Sequence, residues 1–270
     1  MNFPPPIVLC SLIIPLILGS PARATQQETG FLDRKVSVQA SDYRYQIFVP
    51  DNWSRKKKWP VVLFLHGSGE RGSDGLLQTD VGLPAAIRRD RTRFPVLVVM
   101  PQCSGNRWWT DPLMEEMALA ALTAATQEFH GDSKRIYVTG LSMGGYGTLD
   151  LAAKYPARFA AIAPVCGGLF LPAQLRKDHP ELSGEFPEEP ANPAKAYADF
   201  AAKIGKQPVW IFHGADDDTV PVEGSRKIYS ALKAAGGNVR FTEYPGVGHN
   251  SWDKAYLEPE LMNWLLSKTL

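Results

Sequence analysis

At 270 residues, 44% of them hydrophobic and 21% charged, the chain has the material for one large α/β domain and little for two. A formal net charge of +1 excludes the electrostatic footprint of a nucleic-acid binder or of a protein drawn to an acidic membrane surface. The single basic run, Arg55 to Lys58, reads as a solvated loop ahead of a strand.

The chain opens with MNFPPPIVLCSLIIPLILGSPARA. Its apolar run, Ile7 to Leu18, is short and interrupted by Pro15, which argues against a transmembrane helix. It ends in Gly19, Ser20, Pro21 and then Ala22-Arg23-Ala24, a small-x-small pattern expected at a signal-peptide cleavage site. The expectation is an exported, secreted or periplasmic protein cleaved near Ala24, with a mature domain over 25–270. An uncleaved anchor is the alternative, because no Lys or Arg precedes the apolar run. Leu9 before Cys10 is not the small residue that a lipoprotein signal needs.

Tyr43 to Pro50 alternates polar and apolar residues, as a half-buried antiparallel strand does. Val61 to Leu65, Val96 to Met100, Ile136 to Thr139, Ala160 to Val165 and Val209 to Phe212 are short apolar runs, suited to strands covered on both faces. Helical patterns fall between and after them, at Pro112 to Phe129, Tyr146 to Tyr155, Ser225 to Ala235 and Pro259 to Lys268. Strands alternating with helices predict an α/β fold, a mostly parallel central sheet flanked by helices on both faces, with one antiparallel strand near the N-terminus. The Pro- and Glu-rich piece from Leu171 to Pro193 is too polar for core and reads as an irregular excursion near the active-site side. In such a sheet, ligands gather at the carboxyl ends of the strands.

At one of those ends stands RIYVTGLSMGGYGTL, in which Gly140-Leu141-Ser142-Met143-Gly144 fits G-x-S-x-G between a strand and a helix. A nucleophile in so tight a turn needs neighbours without bulk, and the turn aims the following N–H, that of Met143, at an incoming carbonyl oxygen. A serine hydroxyl also needs a base. On such a sheet the order runs serine, acid, histidine. His66 and His130 precede Ser142, His179 precedes any plausible acid, and His213 ends a strand, leaving His249 in PGVGHNSW. The acid should follow the Val209 to Phe212 strand, where Asp216, Asp217 and Asp218 stand in a row and turn chemistry alone explains some of them.

The motifs LHGSGERG, GLSMGGYGT, FHGADDDTVP and GHNSW resemble those of the α/β-hydrolase superfamily, nearest to its secreted esterase branch. That branch includes dienelactone-hydrolase-like, feruloyl-esterase-like and polyhydroxybutyrate-depolymerase-like proteins and so-called predicted peptidases. The resemblance runs from about Tyr43 to the C-terminus and weakens over Leu171 to Pro193. It implies an α/β-hydrolase fold and a serine esterase that works through an acyl-enzyme without a metal or organic cofactor. It places the acid at the fifth position of H-G-x-x-D-x-x-V-P, which is Asp217, with Asp218 the alternative. It makes Ser68, the residue after His66-Gly67, the second oxyanion-hole donor beside Met143.

Glu70 and Arg71 follow at once and are expected to brace that loop as an ion pair. Trp108, Trp109 and Trp252 lie in loops on the strand-tip side and are candidates to wall a substrate pocket, although packing beneath loops is as good an account of the first two. The strand order usual for the resembled fold puts two strands between those bearing Cys103 and Cys166, a gap of roughly 14 Å at ~4.8 Å per strand. A disulfide needs Cα atoms within about 7 Å, so two free, buried thiols are expected. The partner expected is a small-molecule or polymer-linked ester, with no nucleic acid, and a membrane only through an uncleaved leader. A serine peptidase of the prolyl-oligopeptidase type and a non-catalytic binding module on a hydrolase scaffold are the alternatives.

Overall fold

The computed structural model describes residues 1, 3, 28–171, 173–178, 180 and 189–270. The expected leader, apart from residues 1 and 3, lies outside them. Eight strands form one sheet: β1 (Gly30–Val38), β2 (Ser41–Val49), β3 (Trp59–Leu65), β4 (Leu97–Pro101), β5 (Gly131–Leu141), β6 (Ala161–Val165), β7 (Val209–Gly214) and β8 (Val239–Tyr244). Their order is β1-β2-β4-β3-β5-β6-β7-β8. β2 is antiparallel to both of its neighbours, and every pairing from β4 to β8 is parallel. The antiparallel strand read from Tyr43 to Pro50 is β2. The short apolar runs are β3 to β7, each wholly buried except at the start of β5.

The described helices are α1 (Leu83–Arg89), α2 (Pro112–Glu128), α3 (Met143–Lys154), α4 (Ala173–Asp178), α5 (Pro193–Ile204), α6 (Glu223–Ala234), α7 (Trp252–Ala255) and α8 (Leu261–Leu266). The strands send alternate side chains to the two faces. Val61, Leu63 and Leu65 meet Met117 and Leu122 of α2, Leu149 of α3, Phe200 of α5 and Ile228 of α6 in one core. Val62 and Phe64 meet Ile87 of α1, Trp264 of α8 and Tyr256, which follows α7, in the other. Both faces are thus covered, as parallel strands require.

Two helix-starting devices are local. The Asp111 carboxylate accepts the Leu113 N–H at 2.8 Å, and Pro112 fills the first helical position, where no N–H is needed. The excursion expected to be irregular contains α4, which the sequence reading did not foresee. β1, β8, α1, α5 and α7 were also not foreseen. Among the described residues no helix is long and apolar enough to cross a membrane.

Candidate active site

The strand-to-helix turn that carries Ser142 is strained: Ser142 has φ 50° and ψ −117°, a region that non-glycine residues rarely occupy. The turn closes only because its flanks lack side chains. A β-carbon on Gly144 would sit 1.9 Å from the carbonyl oxygen of Leu65, and one on Gly140 would sit 2.4 Å from that of Gly144. The Ser142 N–H donates to Val165 O at 3.0 Å, tying the turn to β6. Met143 is the first residue of α3 and is buried.

Asp217 hangs from the loop after β7. Its Oδ1 accepts the N–H groups of Thr219 and Val220 at 3.0 and 2.8 Å. Its Oδ2 accepts from His213 Nε2 at 3.1 Å and from His249 Nδ1 at 2.8 Å. Burial alone would raise this carboxyl's pKa, but the donors His213, His249 and Val220 outweigh it and hold the group well below the ordinary carboxylate range. Asp218 is exposed and accepts from the Thr219 hydroxyl at 3.3 Å, while Asp216 is exposed as well. Of the three aspartates, the fold brings Asp217 to the histidine.

His249 reaches Asp217 because its loop crosses closely above the tip of β7. A β-carbon on Gly214 would lie 2.3 Å from the carbonyl oxygens of both Val247 and Gly248. His249 Nδ1 faces a carboxylate oxygen, so it carries the ring proton. Nε2 is then left to accept the Ser142 hydroxyl at 2.9 Å. Ser142, His249 and Asp217 form one hydrogen-bonded chain, with the acid wholly buried and the imidazole and the hydroxyl partly exposed. Such a chain can withdraw the hydroxyl proton as the oxygen attacks a carbonyl.

The loop after β3 stands over the serine. A β-carbon on Gly67 would lie 3.8 Å from Ser142 Cβ, and Ser68 follows it in an exposed turn. Glu70 and Arg71 do not form the expected ion pair among the described residues. Arg71 Nε donates instead to Ser68 O at 3.0 Å, and the Glu70 carboxyl turns inward toward Gly67. Burial comes first among the causes that raise the Glu70 pKa. Trp108 and Trp109 take the alternative place, packed beneath loops. Both are buried in the larger core, and the Trp109 indole donates to His66 O at 2.9 Å. Trp252, partly exposed, meets His249 ring to ring at nearly a right angle, with centroids 5.4 Å apart.

Cys103 and Cys166 are both buried and are not joined to each other, with β3 and β5 between their strands. Cys166 Sγ lies under the elbow, 3.3 Å from Ser142 N. It comes together with Asp217 and His249, ligand atoms within 4.8 Å of one another. This is a poor metal-ligand set: the carboxylate and imidazole are already paired, and burial pushes the thiol's pKa far up, against the thiolate that a metal needs. Two histidines set aside in the sequence take structural places here. His213 anchors Asp217, and His66 lies buried behind the Gly67 loop. The His-Gly pairs at 66–67 and 213–214 were the available signal for both.

A sequence model of the prolyl oligopeptidase family matches residues 104–269. A carboxylesterase of Arabidopsis thaliana is 30% identical over 72% of this chain and 84% of its own length. An uncharacterized secreted protein of Arthroderma benhamiae is 28% identical, and an esterase of Mycobacterium tuberculosis 29%. Their alignments span 73% and 49% of this chain but only 22% and 30% of those longer proteins. Among solved structures, a thermostable esterase is 32% identical with a TM-score of 0.71, over 89% of this chain and 63% of that one. A ferulic acid esterase superposes with a TM-score of 0.67 at 17% identity, over 87% and 98% of the two chains, a likeness of fold alone.

Proposed function

The chain belongs to the prolyl oligopeptidase family of α/β-hydrolases, and from that premise we propose that it is an exported serine esterase. The observation that carries this reading is the chain of two hydrogen bonds, 2.9 Å from Ser142 to His249 and 2.8 Å from His249 to Asp217. Ser142 Oγ attacks the ester carbonyl carbon, and His249 Nε2 takes the hydroxyl proton. The imidazolium so formed is held in place and balanced by the Asp217 carboxylate. The oxyanion rests on the N–H groups of Ser68 and Met143. Collapse expels the alcohol, which receives its proton from His249, and leaves an acyl group on Ser142. Water, deprotonated by the same histidine, then releases the acid. No step calls for a metal or an organic cofactor.

Relatives and a structural neighbour named as esterases favour esters over amides as the substrate. Export rests on the apolar leader, on its cleavage pattern before Thr25 and on a relative described as secreted. Peptide hydrolysis is the second reading, favoured by the family match itself and by an acylaminoacyl peptidase of the same fold. The test is hydrolysis of p-nitrophenyl acetate, butyrate and octanoate by the wild type and by Ser142→Ala, beside the matched p-nitroanilides and a fluorophosphonate label. Ester turnover that Ser142→Ala abolishes, with anilides cut far more slowly, is expected. Dominant anilide turnover would put the peptidase first. A chain that neither turns over nor takes the label would be a binding module.

A further inference from the structure

A near-neutral total conceals a separation of charge between the two ends of the sheet. Ser142, Asp217 and His249 meet at the carboxyl ends of the strands. In the loops after β3 and β7 and in α7, the exposed Asp74, Asp80, Asp216, Asp218 and Asp253 outnumber Arg71 and Lys254. The amino ends carry the other sign. The register of β2, β3 and β4 brings loops 50–58 and 90–96 to that end together. With the last residue of α1 they present Arg55, Lys56, Lys57, Lys58, Arg89 and Arg91, all exposed. The acids among them are engaged: Asp51 lies 3.8 Å from Arg91, and Asp90 accepts the N–H and the hydroxyl of Thr92. Lys58 stands near Asp132 and helps to lower its pKa. Arg55, Lys56, Lys57 and Arg89 have no ion-pair partner among the described residues.

The stretch WSRKKKW is solvated at its four cations, yet the fold pins it from both ends. Trp53 and Trp59 are buried, and their indoles donate to Phe129 O at 2.7 Å and to Ser54 O at 3.0 Å. The Trp59 N–H donates to His130 O at 3.0 Å, and Arg135 Nη2 to Lys58 O at 3.1 Å. Arg55 and Lys57 lie over the rings of Trp53 and Trp59, 5.8 and 3.9 Å from their centroids. Stacking of that kind holds a cation in place without neutralising it. Like charges fixed side by side repel, and an anion laid across them relieves the repulsion.

We propose that this face docks the protein on a hydrated polyanion, an acidic polysaccharide with carboxylates along its chain, and leaves the triad turned away from it. The cations are spread over two loops, which suits charges repeated along a polymer better than one small anion. Lysine offers a point charge that adapts to their spacing, without the fork that fits a single phosphate. Neither loop exposes a large apolar side chain to enter a bilayer or a ring to stack on a base, since Trp53, Trp59 and Phe94 are buried. The polymer so held is not the ester being cut: the length of β3, roughly 20 Å, separates this face from the serine. The inference goes beyond the esterase reading and does not need it.

The test measures binding of the chain to immobilised polygalacturonate, with neutral dextran as the blank and phosphatidylglycerol–phosphatidylcholine vesicles beside it. Binding to polygalacturonate and not to dextran is expected at about 20 mM salt. It should weaken at least about tenfold by about 200 mM, as the Debye length shrinks from about 20 to about 7 Å. The combined Lys56→Gln, Lys57→Gln and Arg89→Gln variant should bind about tenfold more weakly, with turnover of p-nitrophenyl acetate within about twofold of wild type. The control, Lys35→Gln with Lys195→Gln and Lys254→Gln, removes as much charge elsewhere and should bind as wild type does. Polymer should also protect Lys56 and Lys57 from acetylation, which reads the face in the wild-type chain without any substitution. A wild type that does not bind at low salt, an equal loss in the control, or unprotected lysines would each overturn the proposal. Tighter binding to the vesicles would overturn it too, in favour of a lipid surface. Ser142→Ala should bind like wild type, so an inert chain that still binds fails the esterase reading and leaves this one standing.

Discussion

Single side chains in this site are set by partners that have no choice of role. Asp217 accepts four hydrogen bonds, two of them from imidazoles, while Asp218 faces solvent one residue later. Asp217→Asn should therefore lower kcat by about 10³–10⁴-fold, because an amide in that place no longer fixes the imidazole tautomer. Asp218→Asn should stay within about twofold, since it removes only an exposed contact; steady-state kinetics on one ester separates the two. His66 yields a prediction about stability. Its pKa is 6.5 in an unpaired chain and about 4 when folded. Between those values the unfolded chain binds more protons, so stability rises with pH there and is lost as pH falls from about 6.5 to about 4. The full loss is about 3 kcal/mol. Asp217 is shifted in the same direction but has a separate window, because its depressed pKa contributes stability that is present above the ordinary carboxylate value and fades only in stronger acid. Urea titrations at pH 7 and at pH near 4.5 should show the His66 loss in the wild type and a flatter dependence in His66→Asn.

The turn at Ser142 is one element made of the end of β5, Ser142 and the start of α3, and its tolerance differs sharply from that of the loop facing it. A β-carbon on Gly144 meets the Leu65 carbonyl at 1.9 Å, backbone against backbone, and no rotamer can relieve it. Gly144→Ala should cost more than about 3 kcal/mol or prevent folding, beyond the usual range for overpacking. Gly69 lies in the loop over Ser142, and a β-carbon there meets nothing within 4 Å. Gly69→Ala should change the unfolding free energy from urea titration by less than about 0.5 kcal/mol. Similar shifts for both would mean that the elbow is not closed as tightly as its geometry states.

Across the whole molecule, two cores share the strands that separate them, so neither can come apart without uncovering the sheet. Phe64 is wholly buried in one of them, edge-on to Tyr256 with centroids 5.8 Å apart. Phe64→Ala should cost about 3–5 kcal/mol. We propose that the mature chain unfolds as a single domain, and calorimetry then shows one transition for wild type and variant, with calorimetric and van't Hoff enthalpies equal. Two transitions, only one of them displaced by the substitution, would divide the chain into separate units.

The amino-acid order by itself determined most of the sheet and singled out the proposed nucleophile. Continuous apolar runs are what strands covered on both faces must have, and G-x-S-x-G between such a run and a helix leaves Ser142 few other meanings. Chain order was enough to single out His249. The edge strands β1 and β8 escaped because they are half-exposed and carry charges such as Arg34, Lys35, Arg240 and Glu243, which blur the alternation. Helix α5 was missed although Tyr197, Phe200, Ala201 and Ile204 repeat at the spacing of one helical face. Turn chemistry left three aspartates open and the family resemblance favoured Asp217; the tertiary structure brings Asp217 to His249, since that depends on the Val247–Gly248 carbonyls passing over Gly214. It also decided that Arg71 grips Ser68 rather than Glu70, that Trp108 and Trp109 are core, and that His66 holds the Gly67 carbonyl. Each of these is a contact between segments far apart in sequence or a choice among rotamers of one loop. Such choices are settled by the space and the hydrogen-bond partners that remain once the sheet has formed, and no local pattern of residues encodes them.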